Sequence, residues 1–337
     1  MKKSILVICE PNEQYAALFL SYVNEHNPTG FDIHIFTDAA ALKTYMKEKK
    51  VDVLLIAEEI AKDELSEQAA VVIYLSEGSV SDKSETKHTV NKFQSAEQIL
   101  RQVCKICAQE NNVQINSGFE RKETCKQVGI FTPKGGSGKT TLAITLAQIL
   151  GARKNVLVVN LEAFPGNYSW EQEGNGISTL MYLMKQERED YQMQVQSAVY
   201  RVGNFDYLSG VSNYQDLQQM KKENMECFLD CLQKYTNYDV IIYDMAFVNE
   251  SLWSVFERCD MVLEPRIEGQ KSVNMFQSIS EREKEALEDK VKKIILPFER
   301  KIDDSVEWLE QGKIGQCVKK FISVGEGIEA WIIEKSS

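Results

Sequence analysis

The stretch Val128 to Leu150, VGIFTPKGGSGKTTLAITLAQIL, constrains this chain more than any other. An apolar strand, Val128–Phe131, runs straight into a glycine-rich loop, and the loop opens a helix. Leu142, Ala143, Leu146, Ala147 and Leu150 fall on one face of that helix. Gly151 stands where a left-handed C-terminal cap belongs. Glycines let the backbone curl until successive N–H groups converge, and the helix dipole adds positive potential at the same point. That combination suits phosphate oxygens. Gly135, Gly136, Ser137, Gly138, Lys139, Thr140 and Thr141 are therefore expected to line a nucleotide's phosphate chain. Lys139 would reach the β- and γ-phosphates, and the Thr140 hydroxyl would ligate Mg²⁺.

Tyr238 to Asp244, YDVIIYD, supports this reading as a buried strand ending in a carboxylate. Asp244 would hold Mg²⁺ through water opposite Thr140. The strict phosphate-loop pattern wants glycine at position 133, where this chain has Pro133 followed by Lys134. PKGGSGKTT resembles the deviant Walker A motif, KGGxGK[ST]T, of the ParA/MinD family of ATPases. The resemblance implies ATP and Mg²⁺ as cofactors and a homodimer switched by ATP. In it, Lys134 reaches across to the nucleotide of the partner and acts with Lys139 in catalysis. Three departures bear on activity. Where the family has Asp-x-Asp after its second strand, Val156–Val159 leads here into Asn160-Leu161-Glu162. Asn160 cannot carry charge or accept a proton. Glu162 keeps a carboxylate on a longer stem, and misplacing a catalytic group by about 1 Å can cost on the order of 100-fold. The chain is therefore expected to bind ATP·Mg²⁺ and to be a weak ATPase at most. The family's Thr-Pro-Pro-like turn is replaced by Met245-Ala246-Phe247. Finally, Val291 to Arg300 offers Pro297 and Phe298 where the family often has an adenine-reading Asn, so ATP over GTP rests on resemblance alone.

The 337 residues suggest two domains, and a hydrophobic fraction of 43% with only 6 Pro favours folded cores over disorder. From Ser4 to Ala108, apolar runs alternate with helical stretches. Ile5–Cys9, Phe31–Phe36, Val51–Ile56 and Ala70–Leu75 read as strands, and Tyr15–Val23 reads as a helix. Asp38 and Ser95 are helix N-cap candidates. The polar segment 109–126 is the expected linker between a domain at 1–108 and a second at 127–337. The predicted class is α/β, with two three-layer α/β/α domains: a flavodoxin-like domain, then a P-loop NTPase domain with a mostly parallel sheet.

In strand order and spacing the first domain resembles a response-regulator receiver. Its equivalent positions are Cys9-Glu10 for the acidic pair, Ala57 for the phosphoacceptor, Ser76 for the hydroxyl and Lys92 for the lysine. Without a carboxylate at Ala57 there is no phosphoryl acceptor, and the adjacent Glu58 and Glu59 read as solvated. A pseudo-receiver followed by a ParA/MinD-like ATPase resembles the TadZ/CpaE proteins of Tad (Flp) pilus assembly. That resemblance implies contact with pilus secretion proteins and a cytoplasmic place, at the cell pole or at the inner-membrane face through partners. The alternatives are a MinD-like membrane-associated positioning ATPase and a ParA-like DNA-partitioning ATPase.

Charge and composition weigh on those alternatives. The chain has 39 Lys+Arg against 50 Asp+Glu, a net charge of −11, and neither half is basic, which disfavours nucleic acid. The C-terminal GEGIEAWIIEKSS is mostly acidic around its apolar residues and reads as a helix on its own core. No run approaches a membrane span, and Glu10 cuts short the apolar run after Lys2-Lys3, so no secretion signal is expected. The 8 cysteines read as cytosolic thiols: Cys104 and Cys107 as buried ones, Cys227 and Cys231 as one buried helix face. Tyr214–Tyr235 and Ser272–Leu287 read as helices with solvated charged faces.

Overall fold

A computed structural model describes residues 3–26, 31–61, 68–78, 88–110, 125–164, 176–184, 191–234, 236–245, 249–271, 280–299 and 305–323. The chain divides into two compact units, Met1–Glu120 with Leu183–Ser197, and Arg121–Tyr182 with Ala198–Ser337. This groups 183–197 with the first unit, whereas the sequence reading places it in the second. Most of the expected linker, Ala246-Phe247 of the Met245-Ala246-Phe247 segment and the C-terminal 324–337 lie outside the described residues.

The first unit contains β1 (Ile5–Cys9), α1 (Glu13–His26), β2 (Asp32–Phe36), α2 (Ala39–Glu48), β3 (Val51–Ala57), β4 (Ala69–Ser76), β5 (His88–Asn91) and α3 (Ala96–Gln109). The sheet is parallel throughout, in the doubly wound order β2-β1-β3-β4-β5. The inner strands β1 and β3 need cover on both faces, which is why they are apolar runs, whereas the edge strands β2 and β5 are only partly buried. Leu6, Ile8, Val53 and Leu55 pack against Phe19 and Val23 of α1 and Ile99 and Val103 of α3. On the other face Val7, Leu54 and Ile56 pack against Leu42 and Met46 of α2. Both expected caps form. The Asp38 carboxylate accepts the Ala41 N–H at 2.9 Å, and Ser95 makes a reciprocal capping box with Gln98. Cys104 and Cys107 are buried in this core, and burial pushes the Cys104 thiol up to about 12.

The second unit is built on β6 (Lys126–Phe131), β7 (Val156–Leu161), β8 (Tyr200–Val202), β9 (Phe205–Leu208), β10 (Val240–Met245), β11 (Met261–Ile267) and β12 (Val291–Leu296). Their order is β12-β11-β6-β10-β7-β9-β8, with β8 antiparallel to β9 and every other pairing parallel. The helices after α3 are α4 (Lys139–Gly151), α5 (Ile177–Met184), α6 (Tyr191–Ala198), α7 (Tyr214–Gln218), α8 (Lys222–Lys234), α9 (Glu250–Arg258), α10 (Glu281–Leu287), α11 (Val306–Gln311) and α12 (Lys313–Ser323). β6 and β10 lie side by side at the centre of the sheet, so the phosphate loop and Asp244 leave it at the same edge.

Four details differ from the sequence reading. Helix α4 is covered nearly all round, not on one face alone: α11 and α12 supply Val306, Leu309, Ile314 and Val318 to its outer side. Gly151 is not a left-handed cap, because the chain continues into Ala152 with right-handed dihedrals. Its lack of a side chain serves packing instead, since a Cβ there would run into the Asn204 carbonyl. Tyr214–Tyr235 forms two helices, with a break between Gln218 and Lys222. Cys231 is buried but Cys227 is exposed, so the two do not share a buried face. Of Ser272–Leu287, the described part is α10, capped by Ser280 and Glu283. No helix among the described residues is long and apolar enough to cross a membrane.

Gly151→Ala should destabilise the protein by about 1–3 kcal/mol through overpacking against Asn204. Urea unfolding followed by circular dichroism measures this. Unchanged or increased stability would mean that the close approach does not hold.

Candidate functional site

The loop from Thr132 to Gly138 takes its shape from two left-handed glycines, Gly136 at φ 67° and Gly138 at φ 83°. An L side chain is strained at either position. Added Cβ atoms at Gly135 and Gly136 would meet nothing within 4 Å, so the space over the loop is open. Gly138 is the N-cap of α4 and offers no side-chain oxygen to the helix's first N–H groups. Ser137 braces the loop, its hydroxyl donating to the Lys134 carbonyl at 2.8 Å. Thr141 accepts at its carbonyl from the Thr145 hydroxyl at 2.7 Å, within the helix.

Lys139 is buried, and its ammonium lies 3.5 Å from Glu162 Oε1. One residue on, the Thr140 hydroxyl donates to Asp244 Oδ2 at 2.6 Å. Asp244 is 1% exposed, and its Oδ1 has no hydrogen-bond partner among the described residues. Burial is the main cause that raises the Asp244 carboxyl, to about 7. The Thr140 hydrogen bond pulls it down, the Glu162 charge pushes it up, and Lys139 lowers it again. A buried carboxylate with a vacant oxygen, beside a threonine hydroxyl and under a lysine, has the chemistry of a divalent-cation and phosphate site. Thr140 and Asp244 fit Mg²⁺, and the open glycine loop with Lys139 fits phosphate.

Asn160 lies opposite Asp244 in the β7–β10 register. Its side chain is hydrogen-bonded at both ends: Oδ1 accepts the Glu162 N–H at 2.9 Å, and Nδ2 donates to the Tyr207 hydroxyl at 2.8 Å. Asn160 thus braces the backbone of Glu162. Tyr207, on β9, was not legible as a site residue, because a short strand with one tyrosine carries no local signal. The Lys134 ammonium donates to Gln270 Oε1 at 3.0 Å and to the Lys271 carbonyl at 3.1 Å. These two acceptors were also missed, since nothing in a polar turn far along the chain marks them.

In the first unit, Glu10, Ala57, Ser76 and Lys92 all lie at the C-terminal side of the sheet, where doubly wound folds carry their sites. Glu10 is 0% exposed and accepts from the Lys92 ammonium at 2.8 Å; Glu77 accepts from the same ammonium at 2.9 Å. Burial works against the charge on Lys92, but the hydrogen bonds and charges of Glu10 and Glu77 outweigh it and raise its pKa. The Lys92 N–H donates to the Ser76 carbonyl at 2.8 Å, and Tyr15 donates its hydroxyl to the Lys92 carbonyl at 3.2 Å. Ala57 puts only a methyl group at the end of β3, while Glu58 and Glu59 are exposed on the following 3-10 turn.

No protein-family model matches this chain. No curated protein matches it either. Solved structures with a similar fold include apo McdA from Cyanothece, at 19% identity and TM-score 0.37, covering 58% of this chain and 81% of that one. A ParA family ATPase from Chlorobium tepidum covers 58% of this chain and 92% of its own at 14% identity and TM-score 0.39. Cobyrinic acid a,c-diamide synthase from Mycobacterium smegmatis, with bound ADP and magnesium, covers 55% of this chain and 80% of its own at 16% identity and TM-score 0.39. At such TM-scores the likeness decides nothing, and the side chains must carry the functional reading.

Two outcomes follow from the buried charges. Unfolded, the Asp244 carboxyl titrates near its ordinary 3.8; folded and free of nucleotide and metal, near 7. Between these values the folded state holds the extra proton, so stability falls as pH rises, by up to a few kcal/mol in all. The loss of stability from pH 5 to pH 8 should therefore be smaller in Asp244→Asn than in wild type, and equal losses would contradict it. Lys92→Ala, which strands Glu10 as a buried charge, should cost about 3–5 kcal/mol in urea unfolding. A cost under about 1 kcal/mol would show that the pair is not buried in solution.

Proposed function

We propose that this chain is an ATP·Mg²⁺-binding protein that dimerises with ATP bound, hydrolyses it slowly, and positions or assembles a Tad-type pilus secretion machinery. The observation that carries the nucleotide reading is the buried Asp244 carboxylate, bonded to Thr140 and left with an unpartnered oxygen behind the glycine loop. The N–H groups from Gly135 to Thr141 would cradle the phosphates. Lys139 would exchange Glu162 for a phosphate oxygen. Thr140 would ligate Mg²⁺ directly and Asp244 through water. Bound Mg²⁺ would offset the charge that gathers on the phosphates. Lys134 would serve the nucleotide of a second copy, and Glu162 would orient the attacking water.

Slow turnover follows from Asn160. Both ends of its amide are spent on Glu162 and Tyr207, and it brings no charge to the cation side of the site. The choice of ATP, the cross-dimer role of Lys134 and the pilus setting come from the sequence resemblance. The first unit fits a docking role within that setting: its lysine is held by two glutamates and its acceptor position is an alanine. The acidity of both halves favours protein partners over DNA. A cytoplasmic place, reached at the pole or membrane face through partners, belongs to the same reading.

Calorimetric titration with ATP·Mg²⁺ tests the core of it. Wild type should bind, and Lys139→Ala should bind at least about 100-fold more weakly; no binding by wild type would end the proposal. Asn160→Asp keeps an acceptor for the Glu162 N–H and can accept from the Tyr207 hydroxyl, so it should fold. Phosphate-release kinetics should then show turnover raised about tenfold or more over wild type. Turnover at or below the wild-type rate would mean that Asn160 is not what slows the enzyme.

A further inference from the structure

The turn that follows β11 holds Lys134 by two hydrogen bonds, to Gln270 Oε1 at 3.0 Å and to the Lys271 carbonyl at 3.1 Å. This turn is well anchored. Gly269 takes φ 76°, the Gln270 N–H closes onto the Ile267 carbonyl at 3.1 Å, and the Glu268 N–H donates to the Leu296 carbonyl of β12 at 2.9 Å. The same two strands underlie the other limb of the phosphate loop. A Cβ added at Gly138 would lie 3.0 Å from Leu296 Cδ1 and 3.5 Å from Ile267 Cδ1. Between the limbs, Ser137 ties its hydroxyl to the Lys134 carbonyl at 2.8 Å. The loop is thus joined to the β11 and β12 ends twice, by polar contacts at Lys134 and by apolar packing at Gly138.

We propose that the 268–271 turn is an intramolecular latch that withholds Lys134 from a second copy of the chain until the phosphate loop is filled. The inference rests on the proposed ATP-switched dimer, and adds to it the contact that sets its threshold. An ammonium held by Gln270 and Lys271 within its own chain has one donor left, and to turn all three toward a phosphate across an interface it must leave them. The hydrogen bonds made within the chain therefore oppose dimerisation by whatever it costs to break them. Leu296 and Ile267, next to the turn in both strands, crowd the space where a Cβ at Gly138 would lie, so any shift of the loop on filling would press on the strands that carry the latch. Gln270 is a positioning residue in this scheme: it acts on Lys134 and touches no reacting atom.

The test is size-exclusion chromatography with light scattering across an ATP·Mg²⁺ titration at fixed protein concentration, on wild type, Gln270→Ala, Gly269→Ala and Lys134→Ala. Gln270 is exposed, so its truncation leaves the core intact. Gly269 has open space around its Cα, so alanine there strains the turn through its backbone alone. Both turn variants should reach half-dimerisation at about three- to tenfold lower ATP than wild type, the effect expected of one exposed hydrogen bond. Lys134→Ala should stay monomeric. Turn variants with a wild-type or higher midpoint, beside a monomeric Lys134→Ala, would overturn the latch and leave the dimer switch standing. A Lys134→Ala protein that dimerises like wild type, or a wild type that never dimerises, would overturn the switch and the latch together.

Discussion

The hydrogen bond from Thr140 to Asp244 fastens the first turn of α4 to the end of the central strand β10, and the chemistry of the second unit is arranged about it. β10 lies between β6 and β7, so its terminal carboxylate is buried by neighbours on both sides. Burying a carboxylate with one oxygen unpartnered opposes folding unless something cationic arrives. Lys139 lowers the Asp244 carboxyl from nearby, and its ammonium faces Glu162. Among the described residues, two carboxyl groups, Asp244 and Glu162, thus share the field of the Lys139 ammonium. Loop, helix terminus and carboxylate then make sense together as a place where a phosphate chain arrives with its own divalent cation.

The first unit meets the same problem with a different solution. Glu10, at the end of β1, is as deeply buried as Asp244, but a lysine from the end of β5 is folded onto it. Lys92 acts as a tethered cation, and Glu77 shares it from the surface. Among the described residues, Glu10 is thus hydrogen-bonded to a lysine, whereas Asp244 is hydrogen-bonded to the Thr140 hydroxyl. Asn160 belongs with this economy of charge. A carboxylate there would have set a further negative group opposite Asp244, whereas the amide donates to Tyr207 and accepts from the Glu162 backbone at once.

Much of this was legible in the sequence. Parallel strands buried on both faces appear as apolar runs, so β1, β3, β4, β6, β7 and β10 could be read from those runs along the chain. Asp38 and Ser95 announced their caps because capping is local chemistry. The glycine loop, Lys139, Thr140 and Asp244 were found because strand, loop and helix follow one another along the chain. What failed to show depends on contacts between distant segments. The role of Gly151 is set by Asn204 in the β8–β9 turn, not by the end of its own helix. The partners of Lys134 lie more than a hundred residues away, and the Asn160–Tyr207 pair joins two strands whose pairing no local pattern predicts. The near-complete burial of α4 likewise comes from α11 and α12, which pack on it from the far end of the chain.

If Asp244 holds a divalent cation brought with a nucleotide, ATP affinity must depend on Mg²⁺ through that carboxylate. Calorimetry with ATP in Mg²⁺ and with ATP in EDTA, on wild type and on Asp244→Asn, gives the comparison. The predicted result is a wild-type affinity at least about tenfold higher with Mg²⁺, and a much smaller gain in the variant. Equal affinities for wild type with and without Mg²⁺, or the same Mg²⁺ gain in both proteins, would contradict it.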